Sequence, residues 1–455
     1  SLFYIPAPET FYVGIRTVQP GEIIEAVFDG ETIAWKARVY HQWSIDPDPG
    51  VSLEQAVERA DDLLTAAVCR QMQSDVPLGS LLSGGIDSSL VSAAAQRAAR
   101  GDLRTFNVRF ADKHYDETWA AMAVAEHIGS QHQILDMNSV AGTWEHITEI
   151  LTHSGQPFAD TSIFAANAIC RLMRQHVTVG LSGDGGDEGF AGYDLYWQIE
   201  RIARWQTLPP SIGRCISGSL GPLASIRVIS KRLPERLKEL TGADNTAVIQ
   251  GLFSGLTETQ HNHLCIDTGL LPPRRFFEPQ WDYHLRPDAS RLEHLSAQAT
   301  EINTRVTLPN DFLFKVDAAS MRESLEIRVP MLDEDLFAYG LSLPHSLKVN
   351  GQTCKRILRR IAERKLPHRV ATKPKRGFGI PLDSWVDKTF KVYLKDLTLG
   401  PSSSLPDYFH PHIYRPIVLA FCDGRSIPGI SRGLLYQIAI MLLSVQLHIR
   451  ARHGY

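Results

Sequence analysis

One stretch of this 455-residue chain constrains its fold more than any other: Leu81-Leu82-Ser83-Gly84-Gly85-Ile86-Asp87-Ser88-Ser89. The apolar run Val76 to Leu82 predicts a buried strand, and the amphipathic run Leu90 to Ala99 predicts a helix. A strand that breaks into a Gly-rich turn and opens a helix can cradle a phosphate. Glycines let backbone N–H groups approach the anion, hydroxyls add donors, and the helix N-terminus supplies partial positive charge. No Lys follows the glycines as in a Walker loop, and GxGxxG is absent. Asp87 would repel phosphates unless a divalent cation sat between them, so the loop points to a Mg²⁺-bound nucleotide. A bare Ser/Gly turn capping a helix is the bland alternative.

The surrounding pattern supports an α/β fold. Strands are predicted at Leu103 to Phe110, Gln131 to Met137 and Val177 to Leu181, and helices at Ser52 to Met72, Asp116 to Ile128, Val140 to Leu151 and Ser162 to Arg174. Ser52 with Gln55 three residues later forms a capping box. Alternating strands and helices imply a parallel sheet, whose ligands bind beyond the carboxyl ends of strands. Two Ser/Gly/Asp loops fall at such ends, after Leu82 and after Leu181. They place Asp87 and Asp187 across one crevice. Two carboxylates converging on a triphosphate are a common Mg²⁺ arrangement. Ser83, Gly84, Gly85, Ser88 and Ser89 would hold the two phosphates that leave as pyrophosphate. After Tyr193 the strand pattern stops, and Leu195 to Leu343 reads as helices. Lys355 to Arg364 reads as a basic amphipathic helix with solvated charges.

Ser83 to Ser89 resembles the pyrophosphate loop of the N-type ATP pyrophosphatases. Leu181-Ser182-Gly183-Asp184-Gly185-Gly186-Asp187-Glu188 through Tyr193, Ser320 through Asp333, and Lys373-Pro374-Lys375-Arg376-Gly377-Phe378-Gly379-Ile380-Pro381 resemble the later signatures of the asparagine synthetase family, in that family's order. Similarity runs from the first residues to past Trp385. The resemblance implies a Rossmann-like ATP pyrophosphatase sheet with a large helical C-terminal extension. It divides the chain into a linker and hairpin (1–50), a synthetase domain (51–395) and a helical tail (396–455). Asp87 and Asp187 match its magnesium ligands. Leu82, Val108, Ser182 and Gly183 match its adenosine contacts, Asp184 an acid linked to forming β-aspartyl-AMP, and Lys375 a lysine near the α-phosphate. Gly189 and Ala191 stand where relatives often have Leu and Gly. The loop Gln156 to Ser162 resembles a stretch lining the amino-acid pocket. Glu326 and Arg328 read as a structural ion pair.

The implied reaction joins aspartate, ATP and ammonia into asparagine, AMP and pyrophosphate. In the family, sequence like Tyr4-Ile5-Pro6-Ala7-Pro8 follows an N-terminal glutaminase domain, so ammonia is expected from glutamine through a domain missing before Ser1. Two alternatives stay open. One is a related cyclase using an internal amine, of the β-lactam synthetase or lasso-peptide type, which a Tyr–Glu pair in the acceptor pocket would mark. The other is a silent nucleotide-binding scaffold. With 47 Lys+Arg against 50 Asp+Glu, composition argues against nucleic acid as partner. No apolar run reaches the length of a membrane span, and no signal peptide opens the chain. The six scattered cysteines read as reduced, mostly buried thiols. A cytoplasmic enzyme acting on small molecules is expected, with room for a homodimer.

Overall fold

The computed structural model describes residues 2–99, 103–110, 112–113, 116–137, 143–219, 240–256, 258–266, 273–374 and 382–453. Its centre is a five-stranded parallel sheet: β3 (Leu78–Leu81), β4 (Arg104–Arg109), β5 (Gln131–Asp136), β6 (Val179–Leu181) and β7 (Glu326–Arg328). The spatial order is β5-β4-β3-β6-β7. Chain order runs outward in one direction from β3 to β5 and in the other from β6 to β7. The direction reverses between β3 and β6, where an open α/β sheet leaves its ligand crevice.

The helices on the sheet form for local reasons that the sequence states. In α1 (Leu53–Gln71), Ser52 Oγ accepts from Gln55 N–H while the Gln55 side chain accepts from Ser52 N–H, the predicted capping box. Its buried face is Ala56, Val57, Ala60, Leu63, Leu64, Ala67 and Val68. Burying each such leucine favours folding by about 1.5–3 kcal/mol. This face joins one core cluster with α2 (Ile86–Ala98), α3 (Thr118–Ile128) and helix Arg356–Lys365. α4 (Trp144–His153) and α5 (Ser162–Met173) join a second cluster, with Phe390, Phe421, Leu435 and Leu443 from the C-terminal helices.

Several expectations need correction. The strand begins at Leu78, not Val76, which is 44% exposed. Helix α2 starts at Ile86, so Asp87, Ser88 and Ser89 lie in its first turn. The strand pattern does not end at Tyr193: Val179↔Glu326 pairing adds β7 to the edge. Only three residues long, with charges flanking Ile327, β7 has no hydrophobic run to betray it. Helix Arg432–His453 is long and apolar enough to span a bilayer, although no such run was expected. In its most apolar window 67% of residues are buried within the protein, as in a core helix. Of the six thiols only Cys170 and Cys354 are buried, and none is in a disulfide. The hairpin β1 (Glu22–Phe28) and β2 (Ile33–Val39) forms as predicted, with Phe28, Ile33 and Trp35 each 65–67% exposed on one face.

One buried lysine, at the end of the short helix His345–Lys348, has a backbone carbonyl as its partner among the described residues. Lys348 is 4% exposed and donates to Gly340 O at 3.0 Å. Burial pushes its ammonium down to about 8. The unfolded chain therefore binds the proton more tightly, and stability falls as pH drops from about 10.5 to 8. Below that window the full penalty persists. Lys348→Met should therefore gain about 3 kcal/mol more stability at pH 7 than at pH 10.5, measured by denaturant unfolding at both. Equal gains would mean that the buried lysine is not strained by its charge.

Candidate active site

Both Ser/Gly/Asp loops meet at the crevice between β3 and β6. Ser83 Oγ lies 2.8 Å from Ser88 Oγ and accepts from Gly85 N–H at 3.2 Å. The first turn of α2 thus presents hydroxyls and backbone N–H groups to one small volume, as an anion cradle requires. Gly84 has φ +77° and lies so close to α3 that a Cβ would stand 2.6 Å from Ala120 Cβ. A side chain there would be strained twice, by its backbone and by the neighbouring helix.

The second loop docks on the first. A Cβ on Gly183 would lie 2.5 Å from Ser88 N, and one on Gly186 would lie 2.8 Å from Asp87 Cγ. This close approach brings Asp87 and Asp187 to a common partner, the ammonium of Lys355. Lys355 Nζ bonds Asp87 Oδ2 and lies 2.9 Å from Asp187 Oδ1. The Lys355 side chain is 6% exposed, against 16% and 20% for the two acids. Burial alone would discharge the lysine. The carboxylates of Asp187 and Asp87 outweigh burial and hold its pKa well above the ordinary value.

Sequence reasoning missed Lys355, placing it on a solvated face. Helix Arg356–Lys365 does turn its charges outward, but Lys355, at its N-cap, turns inward with φ +55°. Its N–H donates to Ala191 O at 3.3 Å, and Ala191 is itself left-handed at φ +54°. Glycine would adopt that conformation without strain, so alanine at 191 costs on the order of 1–3 kcal/mol. A cation at a helix N-terminus opposes the helix dipole. That anomaly was the available signal.

Around this ion cluster is a cavity of about 690 Å³, within the range of small-molecule sites. Its wall includes Leu82, Ser83, Gly85, Asp87, Ser88, Val108, Ser182, Gly183, Asp184 and Asp187, all expected from sequence. Gly84 and Ser89 are not on it. Gly84 backs onto α3, and Ser89 is wholly buried with no hydrogen-bond partner for its hydroxyl among the described residues. Ser182 Oγ donates to Asp184 Oδ2 at 2.8 Å and orients that carboxylate. Lys375, with Gly377, Phe378 and Gly379, lies outside the described residues. Lys373 is on the wall, 2.7 Å from Glu117 Oε1, and Arg359 donates to the carbonyls of Ala371 and Lys373.

Glu188 is 1% exposed and accepts from Tyr193 O–H at 2.6 Å. Burial, then the charge on Asp187, raise its carboxyl to about 7. Glu326 and Arg328 form the expected ion pair at 2.6 Å, away from the cavity centre.

The loop 156–162 reaches the wall through Asp160 and Ser162. Distant segments hold it, as no motif indicated. Phe158 N–H donates to Ser444 Oγ at 3.1 Å, and Ala159 N–H to Phe3 O at 2.9 Å.

Because the carboxylates of Asp87 and Asp187 share one ammonium, Lys355→Met should leave two buried anions facing each other. Unfolding free energy should fall by about 3–5 kcal/mol in metal-free buffer. A loss below 1 kcal/mol, by urea titration, would show that the three charges are not coupled.

The family model "Asparagine synthase" matches residues 59–431. A putative asparagine synthetase [glutamine-hydrolyzing] of Mycobacterium tuberculosis is 29% identical over 396 residues, covering 85% of this chain and 57% of the relative. Asparagine synthetase [glutamine-hydrolyzing] 1 of Bacillus subtilis is 27% identical over 436 residues, covering 94% and 65%. Amidase chyE of Penicillium rubens is 24% identical over 378 residues, covering 75% and 54%. The chain thus matches 54–65% of the length of these curated relatives. With a family match over residues 59–431, most of its length, this chain belongs to the asparagine synthase family.

Proposed function

We propose that the crevice binds ATP and adenylates the side-chain carboxylate of aspartate, and that ammonia then displaces AMP to give asparagine. The observation that carries this reading is the convergence of Asp87, Asp187 and Lys355 beside the hydroxyl-lined first turn of α2. Adenine would fit the apolar end of the cavity, between Leu82, Phe106, Val108 and Ile327. The phosphates would then run over Ser83, Gly85 and Ser88 toward Lys355.

Among the described residues, the cluster of Asp87, Asp187 and Lys355 brings two carboxylates to one ammonium. A triphosphate beside it needs further cationic charge, and the donor set suits magnesium, which takes one or two carboxylates and completes its shell from phosphate and water. Asp87 and Asp187 would hold it. When bound it would supply charge neutralisation to the departing pyrophosphate.

In the first step a carboxylate oxygen bonds to the α-phosphorus as the bond to the β-phosphate bridge breaks, and pyrophosphate leaves. In the second, ammonia bonds to the acyl carbon, loses one proton, and AMP leaves with the former carboxylate oxygen. Lys355 stabilises charge gathering on pyrophosphate, and the α2 N-terminus holds it. Asp184, oriented by Ser182, faces the acyl end. Lys375 is assigned by its motif to the α-phosphate. Two of the longer relatives are named glutamine-hydrolyzing, and by that likeness glutamine hydrolysis would supply the ammonia here.

A second reading, ring closure by an internal amine, draws on the Tyr193–Glu188 hydrogen bond at the cavity wall. The ammonia reading is preferred because that pair is packed beneath Asp187, with Tyr193 stacked on Phe312 at 6.0 Å.

Asp87→Asn and Asp187→Asn should each abolish aspartate-dependent ATP–pyrophosphate exchange while circular dichroism stays unchanged. Near-normal exchange in either would remove the shared site. Mg²⁺ should raise the Tm of Lys355→Met more than that of wild type, since the variant removes the ammonium that competes with the metal for both carboxylates. No shift would argue against the metal. Lys375→Ala should lower exchange by about 10²-fold or more, the scale of one lost electrostatic partner, and Lys373→Ala by much less. Equal small effects would return Lys375 to the surface.

A further inference from the structure

Behind the cavity wall, the turn Gly186–Gly189 that carries Asp187 is seated on the helix Glu334–Leu341. At Gly340 the two backbones touch: a Cβ there would stand 2.9 Å from Gly189 O and 3.2 Å from Gly189 Cα. A Cβ on Gly185 would meet Leu332 Cδ2 at 2.4 Å. The last turn of this helix must place its free carbonyls. Ser342 N–H takes Ala338 O at 3.0 Å and Tyr339 O at 3.1 Å. Gly340 O is taken instead by Lys348 Nζ, at 3.0 Å. A cation at a helix C-terminus also suits the dipole. The seat of Asp187 is therefore tied at its end to a buried ammonium.

The short helix His345–Lys348 that bears this ammonium is itself pinned. His345 is 9% exposed. Its Nε2–H donates to Glu200 Oε1 at 3.3 Å, and its Nδ1 accepts from Ser296 O–H at 2.8 Å. Burial, then the charge on Lys348, push the imidazole down to about 4. It is neutral at pH 7 and makes one bond as donor and one as acceptor. Glu200 lies in the helix Asp194–Trp205 and Ser296 in the helix Arg291–Ile302, so two elements fix the base of Lys348. The chain then runs through Val349, which is 2% exposed, and the Asn350–Thr353 bridge to Lys355. One anchored arm thus meets the seat of Asp187 at Lys348 and the carboxylate of Asp187 at Lys355.

We infer that Lys348 is a positioning residue for the ion cluster: its bond to Gly340 fixes the turn bearing Asp187 relative to the arm that delivers Lys355. Neither Lys348 nor Gly340 is on the cavity wall, so both act through the residues they hold. A buried ammonium with a single carbonyl partner among the described residues weakens the fold. Holding two charges of the site at one spacing is a use that offsets such a cost. The effect on turnover rests on the adenylation reading. The placement of Lys355 does not.

Lys348→Met in the full chain separates this role from a structural one. A structural tie would lose stability and activity together. Here the variant should unfold at higher urea than wild type at pH 7. Its kcat in aspartate-dependent ATP–pyrophosphate exchange should nevertheless fall at least about 10-fold, the scale of a misplaced catalytic group, with KM for aspartate unchanged. Gly340→Ala, whose Cβ would press on Gly189 O, should lower kcat in the same way with Lys348 intact. In metal-free protein the ¹⁵N resonance of Lys355 Nζ, assigned through Lys355→Met, should shift in Lys348→Met. Lower stability of Lys348→Met, an unmoved Lys355 resonance, or unchanged kcat where wild type does catalyse exchange each overturns the assignment. A shifted Lys355 resonance in a protein that shows no exchange even as wild type upholds Lys348 and sinks the adenylation reading.

Discussion

The ammonium of Lys355 between the carboxylates of Asp87 and Asp187 ties three separate segments of chain to one point. Asp87 comes from the first turn of α2, Asp187 from the loop after β6, and Lys355 from the start of a helix far along the sequence. Buried charges of this kind are tolerated only when each finds its partner. The two loops must therefore approach closely, and small residues at 183, 186 and 192 allow it. At Gly192 a Cβ would stand 1.8 Å from Asp187 Oδ1, inside the ion cluster itself. The left-handed backbone at Ala191 and Lys355 is the local cost of aiming the lysine inward.

From that point the cavity extends in two chemical directions. Toward β4 the wall is apolar and suits a flat base. Toward helix Phe314–Met321 it carries the Asp160–Lys315 pair, and suits a small charged acid. The two ends are held by different parts of the molecule. The end at Ser83 and Ser88 rests on α1, α2 and α3, while the end at Asp160 and Ser162 rests on α5 and the C-terminal helices. The segment around Phe3 and the helix bearing Ser444 both support loop 156–162. The far C-terminal region, which carries no recognisable motif, therefore has a structural link to the loop that reaches the cavity wall at Asp160 and Ser162.

What could be read from sequence follows from physical cause. Glycines flanked by hydroxyls and acids at strand ends have few uses, so both loops, their acids and the parallel sheet were legible. Ser52 and Gln55 announced α1 because a capping box is local. Strand β7 was hidden because Glu326 and Arg328 flank its single apolar residue and its pairing is entirely non-local. Lys355 was masked by Arg356, Arg359 and Arg360 beside it, and only its place at the helix N-terminus, where a cation opposes the dipole, set it apart. Lys315 was equally silent, because its partner Asp160 lies 155 positions away. At Ser89 the hydroxyl pattern of the loop continues, while helical rotation carries the side chain into the core.

The central claim is that a carboxylate attacks the α-phosphorus of ATP in this crevice. Tracing oxygen tests it most directly. Aspartate labelled with ¹⁸O in its side-chain carboxylate should be incubated with the protein, ATP, Mg²⁺ and ammonia, and the products read by phosphorus NMR. The account predicts one ¹⁸O in the phosphate of AMP, with unlabelled pyrophosphate released alongside. Label appearing in inorganic phosphate together with ADP would place the attack on the γ-phosphorus and contradict it.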